Sequence, residues 1–314
     1  MTARSKVMPI FAIAMFLVAA GGAARADVEL QRKLDSLFVI ASSGEVRHQR
    51  LTGPAMDSIA ALGADVVPLL IDKFTTLSAR ERWTIIWILQ RIGSKAVPHL
   101  VKALNREDGG VVERVCWALG DIKDTAAAGP LMSVCGHQRW QVRDQAVEAL
   151  GKIGDGRASA TVMTALGDTI GQVRKSAVVA CGQLAVQESV PALVHALGDD
   201  FYGARLTAIN ALLALDTPSV IAALADSLPS SGGTQADLAC RVLGELHTDE
   251  AYELLLGQLS SPDPNRRAAA AEAIIMSDPL DNCGFRRLFI DHESDPLARL
   301  RIQSAVNAAR NATP

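Results

Sequence analysis

Val142–Asp155 reads VRDQAVEALGKIGD, and the fold follows from it. Val142, Ala146, Ala149, Leu150 and Ile153 recur at helical spacing and make one apolar face. Gly154 and Asp155 come next. Glycine tolerates the left-handed backbone of a helix C-cap, so the helix is predicted to end here.

The stretch is one copy of a repeat. Steps of 31 residues along the chain meet Leu119, Leu150, Cys181, Leu212, Leu243 and Ile274. A second column holds Leu69, Leu100, Leu131, Val162, Leu193, Leu224 and Leu255. A third holds Leu104, Cys135, Leu166, Leu197, Leu228 and Leu259. A fourth is Arg143, Arg174, Arg205 and Arg267, with Ala236 in the missing place. The first repeat steps by 30, from Pro68 to Pro98 and from Ile92 to Ile122. A period of this length is the mark of a solenoid. Each unit carries two helical patterns and a short turn. A lone hairpin cannot bury its apolar face, so neighbours must stack.

The unit AVPxLxxALxxxxxxVRxxAxxALGxIGD resembles HEAT repeats of the short, bilin-lyase-like type. The matching residues are Ala96–Val97–Pro98–His99–Leu100, Ser189–Val190–Pro191–Ala192–Leu193, and Val142–Arg143 through Asp155. The likeness runs roughly from Asp57 to Ala309. It implies an all-α, right-handed α-solenoid of HEAT-like hairpins with atypical caps. It implies no single role, because these repeats serve many. In HEAT repeats, Asp and Arg at such positions tie neighbouring repeats in a side-chain ladder. The resemblance gives that role to Asp168, Arg174, Asp199 and Arg205, with each Asp six residues before its Arg. A partner-binding row of charges is the other reading of these four.

Two enzyme families share the repeat. Deoxyhypusine hydroxylases resemble this fold and hold two irons with His-Glu pairs at the start of second helices. The matching places here are Asp144–Gln145, Lys175–Ser176, Leu206–Thr207 and Ala268–Ala269, and the chain's His-Glu pair, His292–Glu293, lies elsewhere. Bilin lyases look alike in repeat, but no residue here matches a catalytic role. The six histidines share no column and no metal-ligand spacing. No cofactor, metal or catalytic residue is expected.

The 314 residues are 49% hydrophobic and only 4% aromatic, which suits packed helices, and no strand-like alternation persists. Residues 1–26 differ from the rest. Arg4 and Lys6 make a basic start, Val7–Ala20 is apolar, and Ala24–Arg25–Ala26 is a small-x-small site. This reads as a secretory signal peptide cleaved after Ala26. The alternative is a permanent membrane anchor, but the run is short for a spanning helix. The expected location is periplasmic or secreted. Cleavage removes Arg4, Lys6 and Arg25 and no acid, which moves the net charge from −3 to −6. Such a protein has no electrostatic footprint for nucleic acid.

The mature chain is read as one domain, 27–314. An N-terminal cap covers 27–63, seven repeats cover 64–280, and a C-terminal cap covers 281–314. Leu228–Gln235 is polar and rich in Gly and Ser, so the sequence marks it as a flexible turn. Five cysteines in an oxidising compartment invite disulfides. Cys135, Cys181, Cys116 and Cys240 nevertheless occupy apolar columns, so buried thiols are expected.

Tryptophan supplies the candidate site. Trp87 and Trp117 share a column whose later members are Glu148, Val179, Asn210, Arg241 and Glu272. A mostly polar column faces solvent at least in part. Trp83 lies one turn before Trp87. The three rings form either a binding patch, as tryptophan does in hot spots, or extra core under the N-terminal cap. Trp140 and Tyr202 are a weaker candidate for a rim contact. The expected function is a non-catalytic scaffold that holds a protein or peptide. An enzyme of the bilin-lyase-like class, or an accessory to one, and a structural subunit of an envelope complex are the alternatives.

Overall fold

The computed structural model describes residues 27–277 and 290–312. The signal-peptide reading of 1–26, and Cys283 with most of the start of the C-terminal cap, lie outside the described residues. Among those described, every regular element is a helix. They group into two compact units, which divide between Ala127 and Ala128.

The first unit begins with α1 (27–41) and α2 (Thr52–Ala60). Short and long helices then alternate: α3 (Val67–Asp72), α4 (Ala79–Ile92), α5 (Val97–Ala103) and α6 (Gly109–Ile122). The second unit continues the alternation with α7 (Ala128–Val134), α8 (Trp140–Ile153), α9 (Ser159–Ala165), α10 (Gly171–Gln183), α11 (Val190–Ala196) and α12 (Tyr202–Leu213). It ends with α13 (Thr217–Ser227), α14 (Gly233–Leu246), α15 (Asp249–Gln258), α16 (Pro264–Ser277) and α17 (Pro296–Ala312). The long second helices pack in succession, α2 on α4 on α6 in one unit, and α8 on α10 on α12 and α14 on α16 on α17 in the other. This is an all-α solenoid of stacked helical hairpins.

The core follows the columns. Leu119, Leu150, Cys181, Leu212, Leu243 and Ile274 are all at most 1% exposed. The second column needs one correction. Leu69 is half-buried while Leu70 is fully buried, because the first repeat steps by 30 and Leu70 takes the core place. Leu228, in the turn expected to be flexible, is buried as well, and so is Ser231.

Local chemistry ends the helices as the sequence suggests. Gly154 adopts φ 75° and donates its N–H to the Leu150 carbonyl at 3.1 Å. Asp155 then caps the next turn by accepting from the Arg157 N–H at 3.0 Å. Asp108 opens α6 by accepting from the Gly110 N–H at 2.8 Å. These side chains satisfy the donors that a helix end leaves unpaired.

Candidate functional site

The aromatic strip grows from how α4 is built. Ser78 caps it, its hydroxyl accepting from the Glu81 N–H at 3.3 Å. Ile85, Ile86, Ile88 and Leu89 are fully buried, which fixes the rotation of the helix about its axis. Trp83 and Trp87 are thereby turned outward. They are 45% and 44% exposed, large values for rings of this size.

Trp117 reaches the same strip from α6, whose apolar face holds Val111, Val112, Val115 and Leu119 in the core. Its ring is half-buried. It meets Trp83 edge to face, with centroids 4.3 Å apart and planes at 85°. Trp83 and Trp87 stand 5.9 Å apart at 40°. Aromatic pairs favour such tilted geometries. At these spacings the rings touch one another, so they form a continuous apolar ridge and not a cage. None of the three indole N–H groups donates to a described residue. The ridge therefore presents apolar faces together with open hydrogen-bond donors.

The neighbourhood is held in place. Arg91 donates to Asp57 at 2.8 Å and to the Trp87 carbonyl at 3.2 Å, which pins the end of α4 to α2. The column that carries Trp87 and Trp117 stays at the surface throughout: Glu148, Val179 and Glu272 are half-buried, and Asn210 and Arg241 are exposed. Trp140 and Tyr202 are the first residues of α8 and α12, 37% and 63% exposed, and Arg205 lies over the Tyr202 ring at 5.4 Å.

The ladder residues join neighbouring hairpins, each bridging arginine reaching an aspartate 25 residues on. Arg143 grips Asp168 with two bonds, at 2.7 and 2.9 Å. Arg174 grips Asp199 likewise, both at 2.7 Å. Each bridge joins the second helix of one hairpin to the turn of the next. Within the six-residue spacing the arginine meets only backbone: Arg174 donates to the Asp168 carbonyl at 2.9 Å, and Arg205 to the Asp199 carbonyl at 2.6 Å. Each Asp also caps its own turn, Asp168 accepting from the Ile170 N–H and Asp199 from the Phe201 N–H. Arg205 ends this run; its cross-hairpin place falls near Ser230 and holds no acid.

The ladder also extends beyond the four residues that the resemblance named. Arg267 grips Glu293 at 2.8 and 2.6 Å, so the carboxylate of the His-Glu pair is a bridge between hairpins. Arg82 and Arg299 bond turn carbonyls in the same way, at Leu77 and Glu293. The 30-residue first step would have found Arg82, which stands 61 residues before Arg143. The bridges set the acidity of their carboxylates. The Arg143 guanidinium holds Asp168 below the usual carboxylate range, and Arg267 does the same for Glu293. For Asp199, burial pushes upward, but the bonds from Arg174 and the Phe201 N–H prevail and hold it low.

No disulfide joins Cys116, Cys135, Cys181 and Cys240 to one another, and burial pushes the Cys135, Cys181 and Cys240 thiols up to about 12, about 11 and about 12. Among the described residues no group of three His, Cys, Asp or Glu side chains is placed to hold a metal ion. Nor is any single described helix long and apolar enough to cross a membrane.

Short and long helices in alternation, bridged by arginine–carboxylate pairs and carrying their variable residues on the second helices, define an α-solenoid of helical hairpin repeats. The HEAT repeat family matches residues 67–141, 97–180 and 160–236, together more than half of the sequence, and the chain belongs to that family. No curated protein matches it. Solved structures similar to it include YibA of Escherichia coli, at 16% identity over 82% of this chain and 96% of that one, with a TM-score of 0.50. The Kap95 chain of a Kap95–Nup1 complex is similar over 78% of this chain and 40% of its own, at 15% identity and a TM-score of 0.51. The CpcE–CpcF phycocyanin lyase complex of Nostoc is similar at 16% identity over 77% of this chain and 94% of that one, with a TM-score of 0.42.

Proposed function

We propose that this chain is a non-catalytic scaffold, exported to the periplasm or beyond, that holds a protein or peptide partner on its second helices. The observation that carries this reading is the ridge of Trp83, Trp87 and Trp117. Two large rings remain about half exposed on a helix whose other face is fully buried, with no described partner for their N–H groups. Tryptophan in that setting is the side chain most often found at binding hot spots. The fold supports the reading too, since a solenoid lets surface residues vary while its core is unchanged. Kap95, whose structure is similar, is seen in complex with Nup1. Export is inferred from the basic, apolar and small-x-small segments of residues 1–26. The non-catalytic reading is supported by the residues after the column arginines, Asp144–Gln145, Lys175–Ser176, Leu206–Thr207 and Ala268–Ala269, which form no His-Glu pair.

Trp87→Ala tests the site. The ring lies largely at the surface, so the thermal midpoint should move little, by the equivalent of roughly 1 kcal/mol or less. Partner capture from the native envelope should weaken by about 2 kcal/mol or more, as at a hot spot. Unchanged capture by a folded variant would reject the ridge as the binding surface. N-terminal sequencing of exported protein should begin at Asp27; an intact Met1 in a membrane fraction would reject export by a cleaved signal.

A further inference from the structure

A groove of about 780 Å³ runs along the second helices α14, α16 and α17 of the second unit. Its size suits a ligand-binding cleft. Small residues line it: Gly244, Ala269, Ala273, Ala305 and Ala308. The helices meet closely here, and a Cβ on Gly244 would stand 3.0 Å from the Ala273 carbonyl oxygen. Met276, 57% exposed, adds a flexible apolar side chain to the lining.

The charges in this groove do not balance. Arg301 serves two carboxylates at once, Asp237 at 3.1 Å and Glu272 at 2.8 Å. Arg241, the other guanidinium of the lining, is taken by Glu245 at 2.8 Å. Three acids thus share two cations. Burial holds the Asp237 carboxyl above its ordinary range; Arg301 opposes this, while Glu272 and Asp263 reinforce it. A half-buried carboxylate with this surplus of negative neighbours gains from a further cation.

We infer that the groove seats an apolar segment of a partner protein bearing one lysine, whose ammonium stands beside Asp237 and Glu272. The planar fork of Arg301 already occupies the shared edge of the two carboxylates. A compact ammonium on a flexible stem fits beside it, where a second planar guanidinium would compete for the same edge. The apolar lining takes the residues that flank the lysine, as in groove recognition of peptides. This inference rests on the protein-binding reading of the chain but uses surface remote in sequence from the tryptophan ridge.

The test uses the mature chain and three blocked Ala/Leu-rich peptides, alike except for a central lysine, norleucine or glutamate, with affinities measured by titration calorimetry. The lysine peptide should bind about tenfold or more tighter than the norleucine peptide, and the glutamate peptide should bind weakest. Glu272→Gln should reduce the lysine preference several-fold, and Asp237→Asn should do the same. Trp87→Ala should leave it unchanged. Equal binding of the lysine and norleucine peptides would overturn the inference, as would no binding by any of the three. So would a lysine preference lost in Trp87→Ala and kept in Glu272→Gln, and that result would leave the ridge standing as the binding surface. A lysine preference that survives Trp87→Ala, in a variant whose capture of the native partner is also unchanged, would uphold the groove and reject the ridge.

Discussion

Single side chains hold neighbouring hairpins together through the arginine–carboxylate bridges. The Asp199 carboxylate does two things at once: it accepts both bonds from Arg174 and caps the Phe201 N–H. Its side chain is 9% exposed and that of Arg174 16%, so the pair is well removed from solvent. Removing one partner of such a pair leaves a poorly solvated charge, which costs far more than losing a surface ion pair. Asp199→Ala should lower the stability by about 2 kcal/mol, short of the full cost of an orphaned charge because Arg174 keeps the exposed Asp200 carboxylate, read as an earlier midpoint in urea at unchanged slope. The same bridges make stability depend on pH. Asp168 and Glu293 have folded-state pKa values below their unfolded ones. Their contribution is complete above the unfolded values of about 4 and is lost as pH falls through the folded ones. Thermal midpoints should therefore be flat from neutrality to about pH 5 and fall below about pH 4. Asp168→Asn should flatten that acid limb.

At the level of helices, the glycine that follows the core column in α8, α10 and α14 has a packing role. Gly151 faces α10 so closely that an added Cβ would meet the Ala180 Cβ at 2.9 Å and its Cα at 3.0 Å. Gly182 stands against Ala211 in the same way, at 3.2 Å from its Cα. Backbone cannot give way as a side chain can, so Gly151→Val should destabilise by roughly 3 kcal/mol, at the upper end for overpacking. The opposite change is available at a helix end. Ala185, exposed after α10, holds φ 52°, which a glycine adopts freely. Ala185→Gly should raise stability by about 1 kcal/mol. Calorimetry on the two variants should show shifts of opposite sign.

On the scale of the whole molecule, burial is spread evenly along the repeats, and the cysteines report it. Cys116 lies in the first unit and Cys181 and Cys240 in the second, all fully buried. Burial raises the thiols of Cys181 and Cys240 to about 11 and about 12, so little thiolate exists at neutral pH. A thiol reagent should therefore label these three slowly in the native protein and rapidly in denaturant without reductant. Fast labelling of the native protein, or fewer than three reactive thiols after unfolding, would contradict this packing.

The sequence by itself determined the hairpin and its period. The apolar columns, the stop at Gly154 and the burial of Cys181 in a leucine position all follow from spacing along one chain segment, because helix periodicity and capping are local. It also brought Trp83, Trp87 and Trp117 to one strip. Only the tertiary structure decided what depends on how one hairpin sits on the next. Arg174 bridges to Asp199, 25 residues on, and not to the carboxylate six residues before it. Leu70 replaces Leu69 in the core, and Glu293 leaves a His-Glu pair to join the ladder. Arg301 reaches Asp237 across 64 residues. The exposure of the two outer indoles was likewise open until α1 and α2 took their places, since a polar column shows which way a side chain points but not what packs over it. Periodicity is fixed by the backbone of one helix. Partners and exposure are fixed by the offset between stacked helices, which no single segment encodes.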